Sequence, residues 1–143
     1  MVAGLVFLAV EMIGRELAHD TTALTTPVRI ASLLLGEDVA RASTPAGLLL
    51  LALLLHAMLS LVYALVICLA VRHLPVRFGL LFGGAFGALI YVLNHHVLTP
   101  IFPAFAAARG GVAVLAHVSF GVTAVAVFAI LRAPRRRSPT AEP

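Results

Sequence analysis

Lysine is absent from this chain of 143 residues, cysteine occurs once, and charged residues make up only 11% of it. Each shortage excludes something. Without lysine, the glycine-rich run GLLFGGAFG at 79–87 cannot be a phosphate-binding loop. The lone Cys68 cannot close an intrachain disulfide, and inside an apolar run it reads as a small core residue. Scarce charge removes the soluble folds, which carry about a quarter charged residues and use them to face water. What takes their place is apolar. The chain is 62% hydrophobic with a mean hydropathy of +1.08, the composition of a membrane protein whose first partner is the lipid bilayer. Ten arginines against six acids leave a formal charge of +4, but four of the arginines are Arg132, Arg135, Arg136 and Arg137. That basicity is a tail, and it offers no face for nucleic acid. The opening stretch MVAGLVFLAVEMIG has no positive n-region and no small-residue cleavage site, so it reads as a retained helix.

All eight prolines fall between or beyond the long apolar runs, which predicts uninterrupted helices at about 2–19, 45–71, 77–98 and 111–131. Each is near the roughly 20 residues a bilayer requires. The expected fold is all-α: an integral membrane four-helix bundle forming one domain, 1–132, followed by a basic cytoplasmic tail, 133–143, expected to be disordered. Thr26-Pro27, Thr44-Pro45 and Thr99-Pro100 each place a capping residue before a proline suited to the first helical position. Two of these pairs open segments too short to span, 27–35 closed by Gly36 and 100–109 closed by Gly110. They are expected as interfacial or re-entrant helices on the outer side. Arg72 and Arg77 between spans two and three, with the arginines after span four, put both termini in the cytoplasm. The two halves then share a plan of span, short outer helix and returning span, consistent with a pseudo-two-fold axis along the membrane normal.

Several groups are costly in a bilayer, at about 2.5–3.5 kcal/mol for a charge near a helix centre, and must be compensated. In span one Glu11, Arg15 and His19 form a stripe at four-residue spacing, with Glu16 and Asp20 further round. Span two carries His56, Ser60 and Tyr63 on one face. Span three has Gly79, Gly83, Gly87, Tyr91 and His95 at strict four-residue intervals, the glycines suited to close helix packing, with Asn94 and His96 alongside. Span four carries His117, with Gly121 at a packing position. The arginine-derived orientation puts Glu11, Arg15, Glu16, His19, His56, Asn94, His95, His96 and His117 between mid-membrane and the outer surface.

Glu11, His19, His56, His95, His96 and His117 are therefore the candidate metal, haem or proton site, with Arg15, Glu16, Tyr63, Tyr91 and Asn94 as polar support. The competing reading of the same residues is a hydrogen-bonded polar core. A haem b could take His117 with His95 or His96 as axial ligands. A transition metal could take His56, His95 or His96, His117 and Glu11. Glu16-x-x-His19 matches a di-iron motif once, and too few carboxylates follow to complete that site. No nucleophile elbow or oriented Ser-His pair occurs, so the chain is not expected to be an enzyme by itself.

The segments LLLHAMLSLVYALV (53–66), YVLNHHVLTPIFPAFAAARG (91–110) and LAHVSFG (115–121) resemble a group of small, uncharacterised four-span bacterial inner-membrane proteins. The resemblance rests on His56, Asn94 with His95 and His96, Phe102 to Ala106, and His117. It implies a multi-pass protein of the bacterial inner (plasma) membrane and carries no activity with it. The leading expectation is a non-catalytic accessory subunit that packs with other membrane protein subunits or with itself. The alternatives are a haem- or metal-binding redox protein using the outer-half histidines, and a small proton- or ion-coupled transporter.

Overall fold

The computed structural model describes residues 1–18, 25–36, 38–39 and 43–133. His19 and Asp20 lie outside the described residues, as does the tail from 134 onward. The described chain is helical, with no strand: α1 Val2–Leu17, α2 Thr25–Leu35, α3 Pro45–Val71, α4 Val76–Val92, a π-helical turn Leu93–Val97, a 3₁₀ helix Pro103–Ala108 and α5 Gly111–Arg132. Three of these, α3, α4 with its π turn (Val76–Val97), and α5, are long and apolar enough to cross a membrane.

The helix ends follow from local chemistry. Thr44 caps α3 by accepting the Gly47 N–H at its Oγ1 over 3.4 Å, with Pro45 in the first helical position. Gly36 ends α2 at φ +77°, a conformation glycine adopts without a Cβ penalty, and donates to the Ser32 carbonyl at 2.9 Å. Thr99-Pro100 does not start a helix as expected. Residues 99–101 form a turn, and a shorter 3₁₀ helix begins at Pro103. The cause is Pro103, whose ring disfavours the α conformation in the preceding residue; Phe102 sits at φ −125°, ψ 80°.

α4 and α5 form the tightest pair. The buried face of α4 is Gly79, Gly83, Gly87 and Ile90, and that of α5 is Ala113, Ala116, His117, Phe120, Gly121, Ala124 and Val125. Both are helical stripes at three- and four-residue spacing. Gly83 and Gly121 meet backbone to backbone, leaving no room for a Cβ on either. Ile67, Val71, Ile90, Phe120, Ala124 and Val125 make the main core cluster, joined by Ala3.

α1 runs antiparallel to α5, with Gly14 against Val112 and the Phe7 ring 4.8 Å from that of His117. Gly4 lies against Ser60 and His56, so the start of α1 is level with the middle of α3. At 16 residues, or about 24 Å, α1 is shorter than the roughly 30 Å hydrocarbon core. The expected likeness of the two halves does not hold. α4 and α5 pack closely through glycines, whereas α1 packs mainly on α5 and only lightly on α3. α2 lies on the N-terminal end of α3, burying Ala31 against Leu48 and Ala52.

Candidate functional site

Where α1, α3, α4 and α5 meet beneath α2 and the 3₁₀ helix, they line a partly open cavity of about 100 Å³. Its polar lining is Glu11, His56, Ser60, Tyr63, Asn94, His95 and His117, with Thr26 and Arg29 from α2. Phe7, Ile90, Phe105 and Phe120 supply apolar wall. An engineered cavity of about 150 Å³ admits benzene, so this one has room for several waters or one molecule of a few heavy atoms.

Glu11 and Arg15 are 5% and 4% exposed and form an i,i+4 ion pair, Arg15 Nε donating to Glu11 Oε1 at 2.5 Å. Arg15 Nη2 also donates to the Ala108 carbonyl at 2.6 Å, tying α1 to the 3₁₀ helix over the cavity. The other carboxylate oxygen, Glu11 Oε2, is buried and has no hydrogen-bond partner among the described residues. A carboxylate oxygen accepts only, so it marks a place for a donor.

The three histidines are each anchored by a backbone carbonyl. His56 donates from Nε2 to Gly4 at 2.8 Å, His95 from Nδ1 to Phe105 at 2.9 Å, and His117 from Nδ1 to Ala113 at 2.7 Å. A carbonyl can only accept, which settles the tautomer of each neutral ring and leaves the second nitrogen as an acceptor. Tyr63 Oη donates to Asn94 Oδ1 and Asn94 Nδ2 to His117 Nε2, both at 3.4 Å. This chain of donors runs from Tyr63 to the Ala113 carbonyl.

The π turn brings Asn94 and His95 into play together. Its i→i+5 bond, Leu98 N–H to Leu93 carbonyl at 2.9 Å, widens the helix and lets neighbouring side chains both reach the cavity. Arg109 Nε takes up the His95 carbonyl at 2.7 Å. Tyr91 stacks on His95 at a centroid distance of 4.9 Å and stands edge-on to His117 at 5.8 Å.

Of the residues singled out in the sequence, the structure gathers Glu11, His56, Tyr63, Asn94, His95 and His117 around the cavity and Arg15 and Tyr91 behind them. Glu16 and His96 are exposed and do not line it. Sequence reasoning missed Phe7, Phe120, Arg109 and the α2 residues. Phe7 lies four residues before Glu11 on the same stripe, a signal that was available; α2 packs here through tertiary contacts that no spacing announces. Among the described residues no three His, Cys, Asp or Glu side chains come together as metal ligands. Phe7 packs against both His56 and His117, at 5.2 and 4.8 Å, and keeps His56 out of the His95–His117 pair.

Compared with family models, with curated proteins and with solved structures, the chain matches none of them.

Proposed function

We propose that this chain is a non-catalytic integral membrane protein that holds a small hydrogen-bond-donating molecule in its outer-half cavity. The observation that carries the reading is Glu11: a carboxylate 5% exposed whose Oε2 lacks a hydrogen-bond partner among the described residues, in a cavity where His56 and His95 each keep a second ring nitrogen as an acceptor. Buried polar groups without partners are costly, and a donor in the cavity would relieve that cost. In this reading the protein sits in the bacterial inner membrane with the C-terminus cytoplasmic and α1 as a fourth embedded helix that starts level with the middle of α3. The support is the arginine distribution and the three apolar helices.

The test is mass spectrometry of the protein purified in mild detergent from its own host, with elemental analysis and an absorption spectrum on the same sample. One small species bearing N–H or O–H groups is expected near one per chain, and is lost in Glu11→Gln. Stoichiometric metal or a Soret band would overturn the proposal in favour of a metal or haem. No bound species at all would leave a hydrated polar core and end it.

A second reading, as an accessory subunit of a larger membrane assembly, is favoured by α3. Only 17% of its most apolar window is buried within the chain, leaving most of its circumference for lipid or another subunit. Recovery from native membranes as a lone monomer would count against it.

A further inference from the structure

At the opposite end of the molecule from the cavity, the turn between α3 and α4 and the end of α5 bound a groove of about 620 Å³. Arg72, His73 and Arg132 line it, all exposed, and Arg132 Nη1 donates to the Arg72 carbonyl, joining the two sides. Its floor and walls are apolar: Val71, Val125 and Phe128, with Leu74 and Val76 at the rim. The described acids are Glu11, Glu16 and Asp38, all on the outer elements, so no described carboxylate answers these cations. The sequence adds Arg135, Arg136 and Arg137 immediately beyond α5.

We infer that this groove is a binding site for an anionic phospholipid, its phosphate diester held by Arg72 and Arg132 and an acyl chain laid along the half-buried Phe128 and the exposed Leu74 and Val76. The inference rests on α3, α4 and α5 crossing a membrane and is independent of the outer cavity. Charge complementarity selects the occupant. A site with cations at the rim and an apolar wall below suits a molecule that is anionic at one end and apolar at the other, and a basic pocket between spans at the cytoplasmic surface meets anionic headgroups. A free phosphate would use the arginines and leave the wall unused.

The experiment titrates the full chain in detergent with phosphatidylglycerol, phosphatidylcholine or inorganic phosphate, reading bound lipid by native mass spectrometry and thermal unfolding in parallel. Phosphatidylglycerol is expected to bind several-fold tighter than phosphatidylcholine. Arg72→Gln is expected to weaken it about fivefold, the worth of one arginine near a membrane surface. Arg77→Gln removes the same charge from the same turn, but Arg77 lies over the Phe78 ring and does not line the groove. It is expected to change binding less than twofold. Equal binding of the two lipids, equal effects of Arg72→Gln and Arg77→Gln, or stabilisation by inorganic phosphate matching that by phosphatidylglycerol would each overturn the inference. Arg72→Gln leaves the carbonyl that Arg132 uses intact, and a circular dichroism spectrum shows whether each variant is folded.

Discussion

Gly87 lies against the backbone of His117, so closely that a Cβ on Gly87 would overlap the His117 carbonyl oxygen. The glycine stripe of α4 is thereby part of the cavity's construction. It sets the depth and height at which α5 presents the imidazole, whose Nδ1 is already committed to Ala113 one turn back.

Gly87→Ala should therefore act on stability and site together. Overpacking of a close helix contact costs about 1–3 kcal/mol, and the displacement falls on His117. The expected result is a lower melting temperature in detergent and weaker retention of any cavity ligand. Gly111→Ala, with open space where a Cβ would go, is the control and should leave ligand retention alone. A Gly87→Ala protein with unchanged melting and retention would show that α4 and α5 can separate freely.

The Glu11–Arg15 pair should behave as one unit. Breaking a buried ion pair from one side costs about 3–5 kcal/mol, because a buried charge is left facing a neutral group. Glu11→Gln alone and Arg15→Gln alone are each expected to lower stability by that order. The double variant should lose far less than their sum, which a double-mutant cycle from reversible unfolding measures. Additive losses would mean that the two side chains act independently.

The donor chain from Tyr63 to His117 should be unequal along its length. Both of its side-chain contacts are long, at 3.4 Å. Tyr63→Phe removes one long bond at the edge of the cavity and should cost no more than about 1 kcal/mol. Asn94→Leu takes away the middle of the chain and leaves His117 Nε2 without its donor, at about 1–3 kcal/mol. Thermal unfolding ranks the two, and a larger loss for Tyr63→Phe would refute the chain as drawn.

Orientation can be read by labelling single cysteines in a Cys68→Ala background with a membrane-impermeant maleimide. Ile101→Cys, 67% exposed, is expected to react in intact spheroplasts, and Leu74→Cys, 42% exposed, only after permeabilisation. With α1 embedded and its start level with the middle of α3, Val2→Cys should react from neither side. Reaction of Val2→Cys from outside would reduce the spans to the three that length and hydropathy support.

Composition and proline placement by themselves determined three helices long and apolar enough to cross a membrane, and their ends, because those depend on local hydropathy, capping and the missing N–H of proline. The stripes also made Gly83, Gly87 and Gly121 legible as packing positions, since helical period alone puts them on one face. The cavity was half legible. Polar residues in a bilayer must find partners, so Glu11, His56, His95 and His117 could be grouped from the sequence, and spacing already set Glu16 and His96 off the stripes of Glu11 and His95. Pro103 was a local signal, since its ring restricts the adjacent Phe102, and it made the expected helix a shorter 3₁₀ one. Two features belonged to the structure alone: the π turn aimed Asn94 and His95 together, and the register of α1 on α5 decided which atoms of the site met a partner. Register is a relation between helices, set by where glycine lets backbones touch, and no single segment of sequence contains it.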